Sequence, residues 1–230
     1  MTAPNAPSAL AGIPLFEGLS KANLKRLGGI LRPRTFPGGV DIIIEDQPGS
    51  VAYVIVSGSV KIHLELPGGG QSLLAVLGPG EVVGEMSLVD SLGRSASVRT
   101  LEETTLLWMG RDDFWECLRT IPGMTYNLVG LLSRRLRLAN LHVESMAAFD
   151  VSGRLAGHLV GLATEYGRST RRGVLIPFPL TQSDLAALIG ASRVRVNQVL
   201  MAFRRRGLVS VGEDRRITVR DLARLAKRRR

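Results

Sequence analysis

Between residues 31 and 109 the chain alternates short apolar runs with turn signals, and this alternation limits the fold more than any other feature. The runs are rich in β-branched residues, and the breaks between them contain glycine and proline, which is typical of short strands joined by tight turns. The runs lie at 40–44, 51–56, 60–66, 72–77, 81–83, 97–101 and 104–109. They predict an antiparallel barrel or roll. A barrel of this kind need not bind anything, so the fold alone does not decide the function.

Charge divides the 230 residues into two parts. Residues 1–150 carry 13 Lys and Arg against 15 Asp and Glu, whereas residues 151–230 carry 17 against 5, a net charge of +12. The length is enough for one large domain or two modest ones. A strongly basic last third behind a near-neutral front predicts that only this third meets a polyanion. A basic tail that merely aids solubility would not need so large an excess.

The sequence contains few of the residue patterns that metal sites and catalytic sites require. A single cysteine, Cys117, excludes an intrachain disulfide and a cysteine metal cluster. His63, His142 and His158 have no partners at metal-ligand spacing, and no GxSxG or Walker pattern occurs. We therefore expect no metal, no catalytic residues and no enzyme. Neither a signal peptide nor a long apolar run occurs, so we expect a cytoplasmic protein without a membrane partner.

A long helical region follows the predicted strands, from residue 111 to residue 148, with a break at Pro122-Gly123. Apolar residues spaced alternately by three and four form a coiled-coil seam, which consists of Val129, Leu132, Leu136, Ala139, Val143 and Met146. A second apolar stripe on an adjacent face consists of Leu128, Leu131, Leu138 and Leu141. Each apolar stripe needs a surface to pack against. We expect one stripe to pack on the barrel and the other on the same helix of a second subunit. A helix buried within a monomer is the alternative.

The segment from residue 80 to residue 98, GEVVGEMSLVDSLGRSASV, contains groups suited to a small phosphate-bearing ligand. Gly84 has no Cβ, so the backbone can approach a ligand closely. Glu85 offers an acceptor for sugar hydroxyls. Arg94 presents a planar fork of donors that matches phosphate oxygens, and Ser95 adds a hydroxyl and a backbone N–H. Gly-Glu or Arg-Ser-Ala alone is more often a strand end and a solvated loop.

A helix-turn-helix pattern lies in the basic third of the chain. Thr181 and the acid three residues later have the spacing of a helix start. Gly190 supplies the tight turn, and Ser192 is placed to cap the next helix. Branched aliphatic residues then come at the spacing that packs this helix across the first. Two short apolar runs at 208–211 and 216–219 predict a hairpin wing.

The second helix of this pair is expected to read DNA. If Val196, Val199 and Phe203 face inward, its outer side presents Arg193, Val194, Arg195, Asn197 and Gln198. Arg193 can pair with guanine O6 and N7, and Gln198 or Asn197 can pair with adenine. Val194 can contact a thymine methyl, while Arg195 is a candidate for backbone contacts that fix the register without reading sequence.

The ligand segment and the helix-turn-helix together resemble the cyclic-AMP receptor protein/FNR family of bacterial transcription regulators. The resemblance implies an α+β fold with an N-terminal antiparallel β-roll of the cyclic-nucleotide-binding type, a long central dimerisation helix and a C-terminal winged helix-turn-helix. The expected parts are a flexible tail (1–12), the roll (13–110), the central helix (111–148) and the DNA-binding domain (149–230). It further implies a homodimer gated by cyclic AMP that binds double-stranded DNA with an inverted repeat and contacts RNA polymerase.

The same resemblance assigns ligand roles on the central helix. Ala139 and Asn140 occupy the two positions that meet the base of the ligand, the second reaching across the dimer. The best-known member carries hydroxyls at both positions, so the base preference of this chain is open between adenine and guanine. Asn140 can still donate to and accept from a purine edge. Arg135 matches an arginine that supports Glu85, although a solvated arginine in an Arg-rich run is an equal reading.

Roles in DNA binding follow from the resemblance in the same way. Arg193, Val194 and Gln198 occupy the three base-reading positions. The best-known member has an acid and a second arginine where Val194 and Gln198 stand, so a different half-site is expected. Thr181 and Ser192 match hydroxyls that lie near phosphates.

Two alternatives remain at this point. One is a regulator of the same family that binds DNA without a nucleotide or with another effector, which Ala139 and Asn140 motivate. The other is a small-molecule enzyme barrel of the cupin type with a basic DNA-binding tail. Cupin barrels need two or three metal-binding histidines, which the predicted strands lack.

Overall fold

The computed structural model describes residues 3–90 and 92–229, and the chain divides into two compact units. The first unit consists of Met1–Leu64 and Ala75–Arg137, and the second of Glu65–Leu74 and Leu138–Arg230. Antiparallel sheets and helices occur together, so the predicted α+β class is confirmed. The division falls between Arg137 and Leu138, within the long helix, and not at residue 149, where we expected the DNA-binding domain to begin.

The predicted roll is present as two four-stranded sheets. Its strands are β1 (Arg32–Phe36), β2 (Asp41–Ile43), β3 (Val51–Ser57), β4 (Val60–Glu65), β5 (Gln71–Leu77), β6 (Val82–Val83), β7 (Ser97–Thr100) and β8 (Thr104–Gly110). The sheets have the orders β1-β8-β3-β6 and β2-β7-β4-β5. β8 pairs antiparallel with β1 and β3, and β7 pairs antiparallel with β2 and β4. Every predicted run is a strand, and β1 is an additional one.

Five helices accompany the roll in the described part of the chain. They are α1 (Pro7–Leu10), α2 (Lys21–Ile30), α3 (Met86–Val89), α4 (Arg111–Thr120) and α5 (Pro122–Ala148). The helical region from residue 111 to residue 148 is interrupted at Ile121, next to the break that we predicted at Pro122-Gly123, because the proline begins a new helix. One apolar cluster fills the space between the sheets, and a second joins the helices to the first sheet.

The expected flexible tail at residues 1–12 is corrected by the structure. Leu10 in α1 is fully buried in the helical cluster. The side-chain amide of Asn5 donates to the carbonyl oxygens of Gly28 at 3.0 Å and Leu31 at 3.3 Å. The segment is therefore held by a buried leucine and by the carbonyls at the end of α2. Met1 and Thr2 lie outside the described residues.

The two predicted stripes of α5 differ in their burial. Leu128 and Leu131 are buried in the helical cluster, which agrees with one stripe covering the roll. Leu138 and Leu141 continue that stripe in the sequence but are about half exposed. Of the seam residues, Val129, Leu136 and Val143 are 58%, 64% and 68% exposed, seven residues apart. An apolar row therefore remains uncovered along α5 in the single chain.

The second unit carries the helix-turn-helix and its wing. Its elements are α6 (Val151–Tyr166), β9 (Arg168–Thr170), β10 (Gly173–Ile176), α7 (Gln182–Ile189), α8 (Arg193–Arg205), β11 (Val209–Val211), β12 (Ile217–Val219) and α9 (Leu222–Ala226). The strands form one sheet in the order β11-β12-β10-β9. β11 and β12 are the predicted wing.

Two features are absent from the described residues, a membrane-spanning helix and a group of metal-binding side chains. None of the described helices combines the length and the hydropathy that crossing a membrane requires. Within the same residues, no three His, Cys, Asp or Glu side chains come together in a group that could hold a metal ion.

Candidate functional site

The guanidinium of Arg94 lies inside the roll and is held by two segments, residues 84–87 and the start of β3. The residue is only 7% exposed. Nη1 donates to the carbonyl oxygen of Gly84 and to Oγ of Ser87, each at 2.8 Å, and Nη2 donates to the carbonyl oxygen of Val51 at 2.8 Å. A guanidinium has five N–H donors in a planar fork, so it can hold these oxygens and still present donors to a ligand.

Two glycines make room for this arrangement. Gly84 has a φ of +81°, and a Cβ there would lie 2.6 Å from Nη1 of Arg94 and 3.0 Å from the carbonyl oxygen of Val51. A Cβ on Gly49 would lie 2.1 Å from Oγ of Ser87. Both positions therefore exclude any larger residue, through the close approach and, at Gly84, also through the left-handed backbone.

The charge of Arg94 lacks a close anionic partner in the described part of the chain. Its acceptors are two backbone carbonyls and one hydroxyl, all neutral, and it forms no ion pair with the residues described. Burial lowers the pKa of Arg94, and the charge of Arg111 lowers it further, while the carboxylate of Glu85 opposes these effects without bonding to the guanidinium. An arginine nevertheless remains protonated in proteins. A buried cation with neutral acceptors favours binding of an anion, because the anion offsets the cost of desolvation.

Glu85 is the second buried charged group of the cluster. It is 2% exposed, and Nη1 of Arg135 on α5 donates to its Oε1 at 2.6 Å. Burial raises the pKa of Glu85, and the charge of Arg135 lowers it. The contact of Arg135 with Glu85 that we expected is thus present, and the alternative of a solvated arginine is excluded by it.

Additional residues join this cluster that the sequence did not identify. Glu81 is buried and accepts from Nη2 of Arg135 at 3.0 Å, and it also accepts from Arg134. Arg135 donates to the backbone oxygen of Val82 as well. The sequence contains a signal for such a network, because Glu81 and Glu85 are four residues apart and Arg134 and Arg135 are adjacent. This signal can be used only when α5 is known to pack on the roll. Ser87 was missed because α3 was interpreted as part of a loop.

Not all predicted ligand residues come together. Gly84, Glu85, Arg94 and Arg135 share one region of the first unit, as the contacts above describe. The hydroxyl of Ser95 is exposed and lies 3.6 Å from the sulfur of Met86, outside this network. Ala139 and Asn140 are exposed positions of α5 and belong to the second unit.

The helix-turn-helix is built as its sequence predicted. Oγ1 of Thr181 accepts from the backbone N–H of Asp184 at 3.0 Å, and Oδ2 of Asp184 accepts from the N–H of Thr181 at 3.0 Å, which is a capping box. Gly190 ends α7 in the left-handed conformation with a φ of +59°. Oγ of Ser192 then caps α8 by accepting from the N–H of Arg195 at 3.2 Å. The hydroxyls of Thr181 and Ser192 therefore serve as helix caps.

The outer face of α8 carries every base-reading residue that we predicted. Val196, Val199 and Phe203 are buried, as the prediction required. The exposed residues are Arg193, Val194, Arg195, Asn197 and Gln198. Arg195 Nη1 donates to Oε1 of Gln198 at 3.2 Å, and Gln182 Nε2 donates to Oδ1 of Asn197 at 3.0 Å. Gln182 is thus an additional polar group on this surface.

An open cavity of about 430 Å³ lies beside this surface, between the start of α7, α8 and the wing. Its apolar floor includes Leu185 and Leu200, and three arginines line it, Arg193, Arg204 and Arg215. Two arginines of α8 and one of the wing converge on this cavity, an arrangement that suits the phosphates of a nucleic-acid backbone. Arg215 was not among the predicted DNA contacts.

Comparison with known proteins identifies a domain in each of the two regions. A cyclic nucleotide-binding domain model matches residues 33–120, and a Crp-like helix-turn-helix domain model matches residues 153–228. A CRP-like cAMP-activated global transcriptional regulator of Mycobacterium tuberculosis is 34% identical over 221 residues, covering 96% of this chain and 98% of that protein. The cyclic AMP receptor protein of Thermus thermophilus is 36% identical over 214 residues, covering 93% and 95% respectively.

A solved structure shows the same architecture. The c-di-GMP responsive global regulator CLP of Xanthomonas campestris has a TM-score of 0.73 at 25% identity, with 88% of this chain and 100% of that one covered. The two domain models account for the roll and for the helix-turn-helix, and the relatives extend over nearly the whole chain. The chain is a DNA-binding transcription regulator with a cyclic nucleotide-binding domain, and it belongs to the cyclic-AMP receptor protein/FNR family.

Proposed function

We propose that this regulator is a homodimer that binds a specific DNA sequence when cyclic AMP occupies the roll. The observation that carries the proposal is the buried guanidinium of Arg94, whose acceptors in the described residues are all neutral. A cyclic phosphate brings one negative charge and acceptor oxygens in the geometry that an arginine fork matches. Two relatives more than 30% identical are a cAMP-activated regulator and a cyclic AMP receptor protein, which supports this choice of ligand.

The family resemblance, together with the chemistry of the side chains, assigns the remaining ligand contacts. The carboxylate of Glu85 accepts from the ribose hydroxyl of the ligand. Burial raises the pKa of Glu85, and the charge of Arg135 favours the ionised form against that effect. Ser95 offers its backbone N–H and hydroxyl to the phosphate. Asn140 bonds the edge of the base across the dimer, next to Ala139.

The uncovered apolar row on α5 supports the homodimer. Val129, Leu136 and Val143 repeat every seven residues and are all more than half exposed, which is the spacing of a coiled-coil position. Pairing with the same row of a second copy would remove this surface from water. A symmetric pair presents two recognition helices, so the DNA site is an inverted repeat. The ligand shifts the dimer toward the DNA-binding arrangement by binding that arrangement more tightly. RNA polymerase is the expected partner on DNA.

Calorimetric titration of cyclic AMP and cyclic GMP tests the ligand. We expect cyclic AMP to bind the wild type, and Arg94→Ala to abolish the binding while light scattering still reports a dimer. Arg99→Ala is the matched control, because Arg99 is a half-exposed arginine on the neighbouring β7 that pairs with Asp41. A normal titration of Arg94→Ala would remove the roll as the ligand site.

A second candidate function has observations of its own. Ala139 and Asn140 lack the hydroxyls expected for a cyclic-AMP pocket, and CLP, at 25% identity, is a c-di-GMP responsive regulator. The chain would then bind DNA without a nucleotide or with another effector. Gel shift of a promoter fragment without ligand, with cyclic AMP and with c-di-GMP separates these cases. Equal shifts in all three would favour a regulator that needs no nucleotide.

A further inference from the structure

Arg111, the first residue of α4, contacts the same two segments that hold Arg94. Its Nη2 donates to the carbonyl oxygens of Gly49 at 2.7 Å and Ser87 at 2.8 Å, and its Nη1 lies 3.4 Å from that of Leu88. Ser87 and Leu88 belong to the short helix α3, whose last carbonyls have no partner within the helix. A cation at this end of a helix is favourable.

The bonds of Arg111 add to the contacts by which Arg94 joins these two segments. Ser87 contributes its hydroxyl to Arg94 and its carbonyl to Arg111. Gly49 lies so close to Oγ of Ser87 that a Cβ would overlap it. The backbone N–H of Arg111 donates to the carbonyl oxygen of Ser50, next to the residue that accepts from Nη2 of Arg94. One turn further along α4, Trp115 Nε1 donates to the carbonyl oxygen of Leu88 at 2.9 Å.

We propose that Arg111 is a positioning residue for the anionic ligand: it fixes the loop at Gly49 and the helix at Ser87 so that they hold the guanidinium of Arg94 in one orientation. The proposal rests on the proposed function, since it concerns the same ligand site. Arg111 itself does not contact the ligand. A lysine at this position would keep the charge but not the planar fork that reaches three carbonyls.

Variants of Arg111 separate the effect of its planar guanidinium group from the effect of its positive charge. In Arg111→Ala we expect cyclic AMP to bind roughly 10- to 100-fold more weakly, because hydrogen bonds to a charged group are lost. Arg111→Lys is expected to recover only part of this affinity. Arg119→Ala is the matched control, since Arg119 is an exposed arginine of the same helix that lies over the ring of Trp115, 5.9 Å from its centroid. It should bind as the wild type does.

A spectroscopic readout distinguishes positioning from a general loss of structure. In ¹⁵N-labelled, ligand-free protein, the Nη resonances of Arg94 report rotation about its Nε–Cζ bond, and they are assigned by their disappearance in Arg94→Lys. Hydrogen bonds from both Nη atoms should slow this rotation in the wild type and in Arg119→Ala. We expect averaged Nη signals in Arg111→Ala and Arg111→Lys, while the amide spectrum of the roll stays dispersed.

The possible results distinguish failure of the positioning role from failure of the proposed function. Wild-type affinity in Arg111→Ala, or unchanged Arg94 signals in that variant, would overturn the proposal. If Arg111→Ala does not fold, the affinity for cyclic AMP and the Arg94 Nη signals are measured in Arg111→Lys, and wild-type values there would overturn the proposal. If the wild type binds neither cyclic nucleotide, the proposed function fails. In that case the positioning role is tested by the Arg94 Nη signals of the ligand-free proteins alone. Averaged signals in the Arg111 variants, but not in the wild type, would support it.

Discussion

The ligand cluster of the roll and the outer face of α8 both use arginine, but in opposite environments. Arg94 and Arg135 hold buried partners, and Glu85 beside them is almost completely removed from water. Arg193 and Arg195 are exposed on a helix whose other side is packed in a core. In the roll, removing one partner leaves an unpaired charge in a medium of low dielectric. On α8 each residue is solvated, so its effect on DNA binding is smaller and depends on salt.

The largest expected effect is on folding of the roll. Arg135→Ala leaves the buried carboxylates of Glu85 and Glu81 without their shared arginine, so we expect a loss of about 3 kcal/mol in the free energy of unfolding. Chemical denaturation followed by the fluorescence of Trp108 and Trp115 measures the roll, since both tryptophans lie in the first unit.

Two further variants give this measurement its control. Arg137→Ala removes an exposed arginine from the same helix and should change stability little. Adding Glu85→Gln to Arg135→Ala should recover part of the loss, because the cost comes from the unpaired charge. Equal losses in Arg135→Ala and Arg137→Ala would contradict the contrast between the two environments.

An intermediate effect is expected on DNA recognition. Arg193→Ala should relax discrimination at one guanine by roughly 1–3 kcal/mol, because a bidentate pair with O6 and N7 is lost. Binding of a set of single-base variants of the site, read by fluorescence anisotropy, measures this change.

Arg195→Ala is the comparison on the same helix. Its loss should be nearly uniform across sequences, with the salt slope reduced by about 1, as a phosphate contact predicts. An unchanged site preference in Arg193→Ala would mean that the face of α8 has been misoriented.

The smallest expected effect concerns a pair of histidines in the second unit. Nδ1 of His142 on α5 lies 3.0 Å from Nε2 of His158 on α6. Burial, together with the charge of Arg154, lowers the pKa of His142 below its ordinary value of 6.5. The folded state therefore prefers the neutral ring. This contribution to stability is complete above pH 6.5 and is lost as the pH falls through the lowered pKa of the folded state.

Thermal unfolding between pH 7.5 and pH 5 checks the sign. His142→Gln should flatten the pH dependence of the second unit, because the glutamine does not titrate. A stability that rises on acidification in the wild type, and not in this variant, would show that the pair prefers the charged ring.

The sequence predicted elements that have a local pattern and missed those that depend on tertiary contacts. The strands β2–β8 follow from β-branched runs between glycine and proline turns. β1 was missed because Arg32-Pro33-Arg34 has no apolar alternation, although it pairs with β8 through its backbone. The four residues of α3 are too few to show a helical period.

The same distinction holds within the candidate site. Arg94 and the helix caps Thr181 and Ser192 belong to short motifs, and the structure has them where the motifs imply. Glu81 and Arg134 carry no local signal, since they are 53 residues apart and meet only through packing of α5 on the roll. Leu10 was missed for a similar reason, because a single leucine among Ala, Pro and Ser gives no periodicity.

The convergence of two adjacent arginines on Glu81 constrains the helix that carries them. Consecutive residues of an α-helix project about 100° apart, so Arg134 and Arg135 reach the same carboxylate from either side of α5. Twisting the helix about its own axis in either sense lengthens one of these bonds first. At this point on the roll the two bonds to Glu81 therefore resist rotation of α5 about its axis.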